Sequence, residues 1–458
     1  MKIRAMMVAG VVGLATLSSA TAWGKVSASE AAKLGDTLTP VGAERAGNAD
    51  GTIPAWEGGY TGTPAGFAPG NWVNPYADEK PLFVINQSNV EQYKDKLSAG
   101  QVAMIKKYGD FSIPVYPTHR SAAYPQKVYD AAKKNATTVD MVADGNGLTP
   151  FETAVPFPIP SGSNRDQALQ VIWNHITRYR GGSVERTIAQ ATPLANGNFT
   201  PVKFHEEITW RDELTDYDPA KDPNVMFYFR QEIVAPARLA GNVLLVHETI
   251  NQVKEPRRAW IYNQGQRRVR RAPQVAYDGP GTASDGLRTS DDFDMYNGAP
   301  DRYDWKLVGK KEMYIPYNSY KLMDKSLKYA DIIKPGHIAS DLTRYELHRV
   351  WVVEATLKSG MRHVYAKRVF HIDEDTWQAA VIDMYDGRGE LWRVSEAHEV
   401  SFYDQKVPWY AVQVVYDLLS GRYLVLGLSN EAQDGYKFGI KRAYQDYTPA
   451  ALRRAGRR

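Results

Sequence analysis

Three carboxylates, Glu354, Asp383 and Glu396, fall within stretches that otherwise read as apolar β-strands. On an apolar sheet face, burial raises the pKa of a carboxyl into a range that suits acid catalysis. A hydrolase is therefore one candidate function. The sequence contains no Gly-x-Ser-x-Gly elbow, Walker loop or strand-linked Gly-x-Gly-x-x-Gly motif. We therefore expect that the protein is not an enzyme and that it uses no cofactor.

The chain has nine histidines, and histidine is a common zinc ligand. Strand alternation puts His348 on the same face as Val350, whereas it puts His363 and His371 on the opposite face. These side chains then cannot meet at one ion. We expect no metal site and interpret the histidines as surface groups or as buried groups with satisfied hydrogen bonds.

Two loop motifs resemble ligand-binding sequences. "SDDFDMYNG", residues 290–298, resembles a calcium loop that starts at Asp292, but Asn297 replaces the glycine and Tyr303 the glutamate that such a loop needs. We interpret it as a solvated turn. "GPGTASDG", residues 279–286, has glycines but no strand-to-helix context, so we expect no phosphate cradle there.

"QRRVRRAP" brings four arginines together: Arg267, Arg268, Arg270 and Arg271. In a strand, Arg268 and Arg270 share one face, while Arg267 and Arg271 share the other with Val269. One interpretation is an edge strand protected by charge. The other is a basic rim that contacts anionic lipid headgroups or an acidic partner.

Most of these residues lie on stretches that are predicted to be strands. Strand patterns separated by short turns cover residues 200–210, 224–235, 240–249, 257–263, 266–271, 305–315, 345–357, 361–372, 377–385, 389–401, 410–418 and 422–428. Short turns predict an antiparallel meander, because parallel strands need crossover helices. One amphipathic helix is predicted over 166–179, ending before Gly181. Shorter helices are predicted from Ser88, with Glu91 completing a capping box, and near 124–135.

Register across the meander predicts which side chains share a face. We pair Leu357 with Met361, Ile372 with Trp377 and Asp383 with Trp392, which makes one face much the more hydrophobic. A wide sheet with such a face curls around a partner. One helix covers only a few strands, so we predict a cavity lined by Trp173, Val350, Val352, Val364, Phe370, Trp377, Val381, Tyr385, Trp392 and Val394. Plain core is the alternative for the aromatic members of this set.

Composition and the N-terminus indicate an exported protein. Residues 1–24, "MKIRAMMVAGVVGLATLSSATAWG", combine a basic start, a short apolar stretch and a small-residue exit, as in a secretory signal peptide cleaved after Ala22 or Gly24. The 458 residues include no cysteine, so disulfides are excluded. The net charge of +4 falls towards neutral when Lys2 and Arg4 are removed, which gives no case for nucleic acid.

We divide the rest of the chain into two parts. Residues 25–160 are rich in glycine and proline and carry aromatic anchors such as Trp56 and Trp72, which predicts an extension that wraps a core formed elsewhere. Residues 161–458 hold the predicted sheet. The fold class is therefore mainly β (α+β), a large curved antiparallel sheet closed by helices.

Four long strings, "LTPVGAERAGNADGTIPAW", "QRRVRRAPQVAYD", "NGAPDRYDWKLVGKKE" and "YDGRGELWRVSEAH", resemble the domain of unknown function 1329 family of exported bacterial proteins. The resemblance covers essentially the whole mature chain. It implies a fold similar to the Lol-type lipoprotein carriers (LolA and LolB), an antiparallel half-barrel around a hydrophobic cavity. It also implies partners, namely inner-membrane transporters of the resistance-nodulation-division type and outer-membrane proteins, and it supplies no catalytic residues.

From these observations we expect a periplasmic carrier or acceptor of a lipid-like or other hydrophobic molecule, with peripheral contact to a membrane. Burial of an acyl chain contributes about 0.8 kcal/mol per methylene, enough for tight binding without a charged anchor. The alternative is a non-catalytic interaction or scaffold protein of the outer-membrane envelope, whose sheet is filled by its own N-terminal segment. An envelope hydrolase is the third hypothesis.

Overall fold

The computed structural model describes residues 24–455. The predicted signal peptide lies, apart from Gly24, outside these residues, so it stays a prediction. Within the described part of the chain, no helix combines the length and the apolar character that a membrane crossing requires.

Helices are few and mostly short. They are α1 (Ala28–Ala31), α2 (Val90–Tyr93), α3 (Ala99–Lys107), α4 (Gln126–Thr138), α5 (Asn164–Thr177), α6 (Tyr329–Ile332) and α7 (Pro449–Ala455). The helix predicted over 166–179 is α5, but it is buried on all sides from Ala168 to Thr177 rather than amphipathic. The helix predicted from Ser88 is a single turn, and the predicted capping box of Ser88 and Glu91 does not form. A capping box forms ten residues later, at Ser98 and Gln101 of α3.

Strands account for most of the regular secondary structure. They are β1 (Phe83–Ile85), β2 (Ile113–Val115), β3 (Met141–Val142), β4 (Gly147–Leu148), β5 (Ser183–Ala191), β6 (Val202–Trp210), β7 (Val225–Ala235), β8 (Val243–Thr249), β9 (Arg258–Asn263), β10 (Arg268–Arg271), β11 (Tyr303–Pro316), β12 (Tyr345–Leu357), β13 (Lys367–Asp373), β14 (Ala379–Tyr385), β15 (Leu391–Phe402), β16 (Val407–Asp417), β17 (Tyr423–Leu428) and β18 (Tyr436–Phe438). Each predicted strand is present, whereas the short strands β1 to β4 and β18 and the nine-residue strand β5 were not predicted.

Sixteen of these strands form one sheet. Its order is β1-β2-β12-β13-β14-β15-β16-β17-β5-β6-β7-β8-β9-β10, with β11 on β12 and β18 on β5. Every pair is antiparallel except β2 with β12, so the sheet is mixed. Among the described residues its two ends, β1 and β10, do not pair with each other, and the sheet is not closed. The half-barrel curvature stays a prediction.

The predicted register between β12 and β13 is wrong. Val350 lies opposite Asp373, not opposite Arg368 as predicted, because residues 358–366 form a long loop where a tight turn was expected. Phe370 pairs with Val353, so it points to the opposite face from Val350. His371 pairs with Val352 and therefore shares the face of His348, contrary to the prediction.

The observed register also shows which side chains share each face of the sheet. We call the face that carries Val350, Val381 and Val394 the first face, and the face that carries Arg368 and Phe370 the second face. Helix α3 packs on the first face over β14 and β15. Helix α5 packs on the second face over β11 and β12. Residues 273–299, which we call the covering segment, lie over another part of the second face, where Asp291 pairs with Arg368 and Phe293 contacts Phe229.

Candidate functional site

The ten predicted lining residues do not surround one cavity. Trp173, Val350, Val352, Phe370, Trp377, Val381 and Val394 are buried, Tyr385 and Trp392 are half-buried, and Val364 is 38% exposed in the loop before β13. They are divided between the two sheet faces, because the true register differs from the predicted one. Most of them are ordinary core, and the cavity described below has other walls.

The N-terminal residues pack against the predicted lining residue Trp377 and its neighbours. Trp377 is fully buried, donates its indole N–H to the carbonyl oxygen of Val41 at 2.9 Å, and stacks on Trp351. Arg349 donates to the carbonyl of Ala46 at 2.6 Å. Because these contacts use backbone groups of the Gly/Pro-rich segment, that segment belongs to the same hydrophobic core as the sheet.

A cavity does exist at the other end of the sheet, between β7, β8 and the covering segment. Its volume is about 60 Å³, room for about four water molecules. The apolar side chains in its wall are Phe227, Phe229, Leu244, Val246, Val275 and Phe293. Strand alternation explains this wall: Phe229 lies opposite Val246, and both project from the second face. The half-exposed Val275 and Phe293 mark its opening towards solvent.

Most polar groups in the cavity wall are paired, the exceptions being the buried Oδ1 of Asn297 and the Nε of Arg288, which have no partner within residues 24–455. Glu248 accepts from Arg257 at 2.8 Å and from Asn297 at 2.8 Å. Gln231 donates to Glu206 at 2.7 Å. The other oxygen of Glu206 accepts from Arg186, on the unpredicted strand β5, at 2.8 Å. These groups are satisfied without a ligand.

Of the two exceptions, Arg288 is the one that carries a charge. Its side chain is 5% exposed and lines the cavity, and its Nε has no hydrogen-bond partner among residues 24–455. Burial lowers the pKa of this guanidinium from its ordinary value. Sequence reasoning missed Arg288, because a lone arginine after a glycine-rich loop reads as a surface residue. The loop "GPGTASDG" does help to form a site, since Pro280, Gly281 and Thr282 contribute to the wall.

Buried ion pairs fasten the covering segment to the sheet. Asp294 pairs with Arg178 at 2.6 Å and also with Arg180, and Asp291 pairs with Arg368 at 2.9 Å. The arginines keep the pKa of Asp294 and Asp291 below the ordinary value although burial acts to raise it. The prediction of a solvated turn at 290–298 is therefore wrong. The acidic residues face buried arginines rather than solvent or calcium.

The arginine-rich strand is the edge strand β10, next to the cavity strands. Arg268 and Arg270 lie opposite Asn263 and Ile261, and Ile261 lies opposite Leu244 of the cavity wall. Arg268 and Arg270 are therefore exposed on the same sheet face as the cavity. Arg271 projects to the other face, over the ring of Trp260, and Arg267 occupies the preceding turn. The basic-rim interpretation stays a prediction.

The three carboxylates considered for catalysis share the first face, as predicted, but α3 covers two of them. Ser98 and the backbone N–H of Gly100 donate to Asp383 at 2.8 and 3.1 Å. Burial raises the pKa of Asp383 to about 6 and that of Glu396 to about 7. Because Asp383 and Glu396 are 2% and 1% exposed, they lie beneath the helix rather than in an open cleft. Glu354 is half-buried.

One buried group on the first face has metal-ligand spacing, namely His348, Asp373 and Asp375. Arg120 already occupies both carboxylate oxygens of Asp375, at 2.7 and 2.8 Å. In a second group, Glu185 and His205 are half-buried and Glu207 is buried, and Arg442 binds Glu207 at 3.0 Å. These arginines supply the positive charge that an ion would otherwise bring. The expectation of no metal site stays a prediction.

Comparison with known sequences gives two extensive matches. The family described as protein of unknown function (DUF1329) matches residues 84–453. An uncharacterized protein of Pseudomonas aeruginosa, PA3922, is 65% identical over 450 residues, which are 98% of this chain and 97% of that protein.

Solved structures give more distant matches. A putative outer membrane lipoprotein-sorting protein domain from Vibrio parahaemolyticus is 13% identical, with a TM-score of 0.41, over 59% of this chain and 92% of that one. A DUF1329 family protein from Desulfovibrio piger is 15% identical, with a TM-score of 0.41, over 60% and 92%. A LolA superfamily protein from Nitrosomonas europaea is 12% identical, with a TM-score of 0.35, over 59% and 92%.

Proposed function

This chain belongs to the DUF1329 family of proteins of unknown function, and we propose that it binds a lipid-like or other hydrophobic molecule in the cavity beneath the covering segment. In this proposal the protein is a periplasmic carrier or acceptor of that molecule, not an enzyme. The observation that carries the proposal is the apolar wall on β7 and β8, which the chain's own side chains leave partly unfilled.

The wall has the composition of a hydrophobic binding site. Three phenylalanines and three aliphatic residues surround the space, and the polar groups beside them are mostly paired with one another. Small-molecule sites typically combine such a lining with a few fixed polar groups. Filling the space with methylene groups contributes about 0.8 kcal/mol for each group buried.

The volume of about 60 Å³ is much smaller than a long acyl chain requires. A long ligand must therefore place only its end in the cavity or displace part of the covering segment. Residues 274–283 are the less buried part of this segment, and Gln190 donates to the carbonyl oxygens of Thr282 and Ala283 at 3.1 and 2.6 Å. Residues 287–296 carry the buried side chains and the ion pairs that hold the segment in place.

Binding of the neutral fluorescent probe N-phenyl-1-naphthylamine tests the proposal. Val246→Trp puts an indole into the cavity and is expected to weaken probe binding at least tenfold. Val234→Trp adds the same ring at a site that is 44% exposed on the same hairpin and is expected to leave binding unchanged. Protein purified without detergent is expected to retain a hydrophobic molecule in native mass spectrometry. Absence of both that molecule and probe binding in the wild type would refute the proposal.

The scaffold hypothesis is the second candidate, and one observation favours it. The N-terminal segment covers part of the sheet through contacts such as that between Trp377 and Val41. Deletion of residues 25–85 separates the two functions. Both hypotheses expect a less stable protein, because this segment belongs to the shared core. A carrier is expected to keep probe binding in a variant that still folds, because none of the deleted residues lines the cavity, whereas a scaffold without a ligand site binds no probe before or after the deletion.

A further inference from the structure

The guanidinium of Arg288 is a buried positive charge without a protein partner. It lines the cavity, and within residues 24–455 no hydrogen bond or ion pair of its guanidinium is found. A buried charge without a partner is strongly destabilising, and in proteins such charges are normally paired. A chain that keeps one beside an open space is therefore arranged for a partner that arrives from outside.

Nearby carboxylates do not provide that partner. Asp292 accepts from the hydroxyl of Tyr365 at 3.0 Å. Glu206 and Glu248 are held by other arginines, as described above. None of these acids forms a hydrogen bond or an ion pair with Arg288, and Asp292 and Glu206 act on its guanidinium only through longer-range attraction.

The backbone of Gly281 fixes the position of this charge. A Cβ atom at residue 281 would lie 2.9 Å from Cζ of Arg288 and 3.0 Å from one of its terminal nitrogens. Real side chains do not approach so closely, so the guanidinium lies directly against the glycine backbone. The backbone N–H of Gly281 also donates to the carbonyl of Arg288 at 2.9 Å. The loop therefore holds Arg288 at the cavity wall.

We propose that the bound molecule is an anionic amphiphile whose carboxylate or phosphate pairs with Arg288 while its apolar part contacts Phe229, Val246 and Phe293. This inference rests on the proposed function and names the class of ligand. Guanidinium groups bind carboxylates and phosphates through paired hydrogen bonds. The exposed Arg268 and Arg270 lie on the same sheet face and attract such a molecule towards the cavity.

The test compares four ligands of equal chain length: dodecanoate, dodecyl phosphate, dodecanol and dodecyltrimethylammonium. Each is titrated against wild-type protein loaded with N-phenyl-1-naphthylamine, below the micellar concentration. Dodecanoate or dodecyl phosphate is expected to displace the probe at a concentration at least tenfold lower than dodecanol, with the cationic compound weakest. Whichever anion binds more tightly identifies the head group, and either result supports the inference.

Variants assign the preference to Arg288. Arg288→Met is expected to bind dodecanol as the wild type does and to lose the tenfold preference for anions, while Arg288→Lys keeps part of it. Because Arg288 lacks a protein partner, the methionine variant is expected to melt at the wild-type temperature or above. Gly281→Ala, which displaces the guanidinium, is expected to reduce the preference in a chain that still has the arginine.

The outcomes separate the two proposals. Equal affinity of the wild type for dodecanoate and dodecanol, or an anion preference that survives in Arg288→Met, would overturn the inference and leave hydrophobic binding intact. Failure of every ligand and of the probe to bind the wild type would overturn the proposed function itself.

Discussion

Strands β14 and β15 and strands β7 and β8 carry comparable apolar side chains, but different covers lie over them. Over β14 and β15, α3 comes so close that a Cβ at Gly100 would lie 2.5 Å from Val394. Over β7 and β8, an irregular segment leaves a cavity of about 60 Å³. An apolar face alone therefore does not make a binding site. The cover decides whether the face becomes core or cavity wall.

The largest effect is expected from replacing Trp377, in the turn before β14, and Phe229 in the cavity wall. Trp377→Ala removes a fully buried ring and the hydrogen bond to Val41, so a loss of about 3–5 kcal/mol in the free energy of unfolding is expected. Phe229→Ala enlarges an existing cavity, where part of the ring already lacks contacts, so a loss below about 3 kcal/mol is expected. Urea denaturation measures both, and equal losses would contradict the contrast between the regions.

Replacement of Asp294 tests whether buried ion pairs hold the covering segment on the sheet. Asp294→Asn leaves Arg178 and Arg180 buried without a negative partner, which is expected to cost about 3–5 kcal/mol in the free energy of unfolding. Asp285, which is on the same segment but 57% exposed in its pair with Arg422, provides the control. Asp285→Asn is expected to cost less than about 1 kcal/mol. Similar values for the two variants would mean that the buried pairs do not anchor the segment.

The pH dependence of stability tests whether Glu396 is buried under α3. Burial raises the pKa of Glu396 from 4.5 to about 7, so the folded state binds the proton more strongly than the unfolded state. This stabilisation is complete below pH 4.5 and is lost as the pH rises through 7. The unfolding free energy of wild type relative to Glu396→Gln is therefore expected to fall by about 3 kcal/mol between pH 4 and pH 8.

Two results bear on the Glu396 titration. In the exposed Glu91, a hydrogen bond from Lys106 lowers the pKa. The unfolding free energy of wild type relative to Glu91→Gln is therefore expected to rise slightly as the pH increases, the opposite of the change for Glu396. A difference between wild type and Glu396→Gln that does not vary with pH would show that water reaches Glu396 and that α3 does not close this region.

The sequence predicts the strands well, because alternation and turn residues are local signals. Strand β5 escaped prediction because Glu185 and Arg186 lie in it side by side, and the burial of Arg186 depends on Glu206 of the next strand. The predicted register fails at the loop over 358–366, because this loop is longer than predicted. As a result, Phe370 lies on the second face rather than on the face of Val350. The candidate site could not be predicted, because it depends on where an irregular segment rests.

Photocrosslinking tests directly whether an anionic amphiphile binds in the cavity under the covering segment. A dodecanoate analogue with a diazirine near its end is bound to detergent-free protein, irradiated and mapped by peptide mass spectrometry. We predict labelling of peptides from β7, β8 and the covering segment, around Phe229, Val246 and Phe293, and its loss in Val246→Trp. Labelling concentrated on residues 377–394, or spread without preference over the surface, would contradict the account.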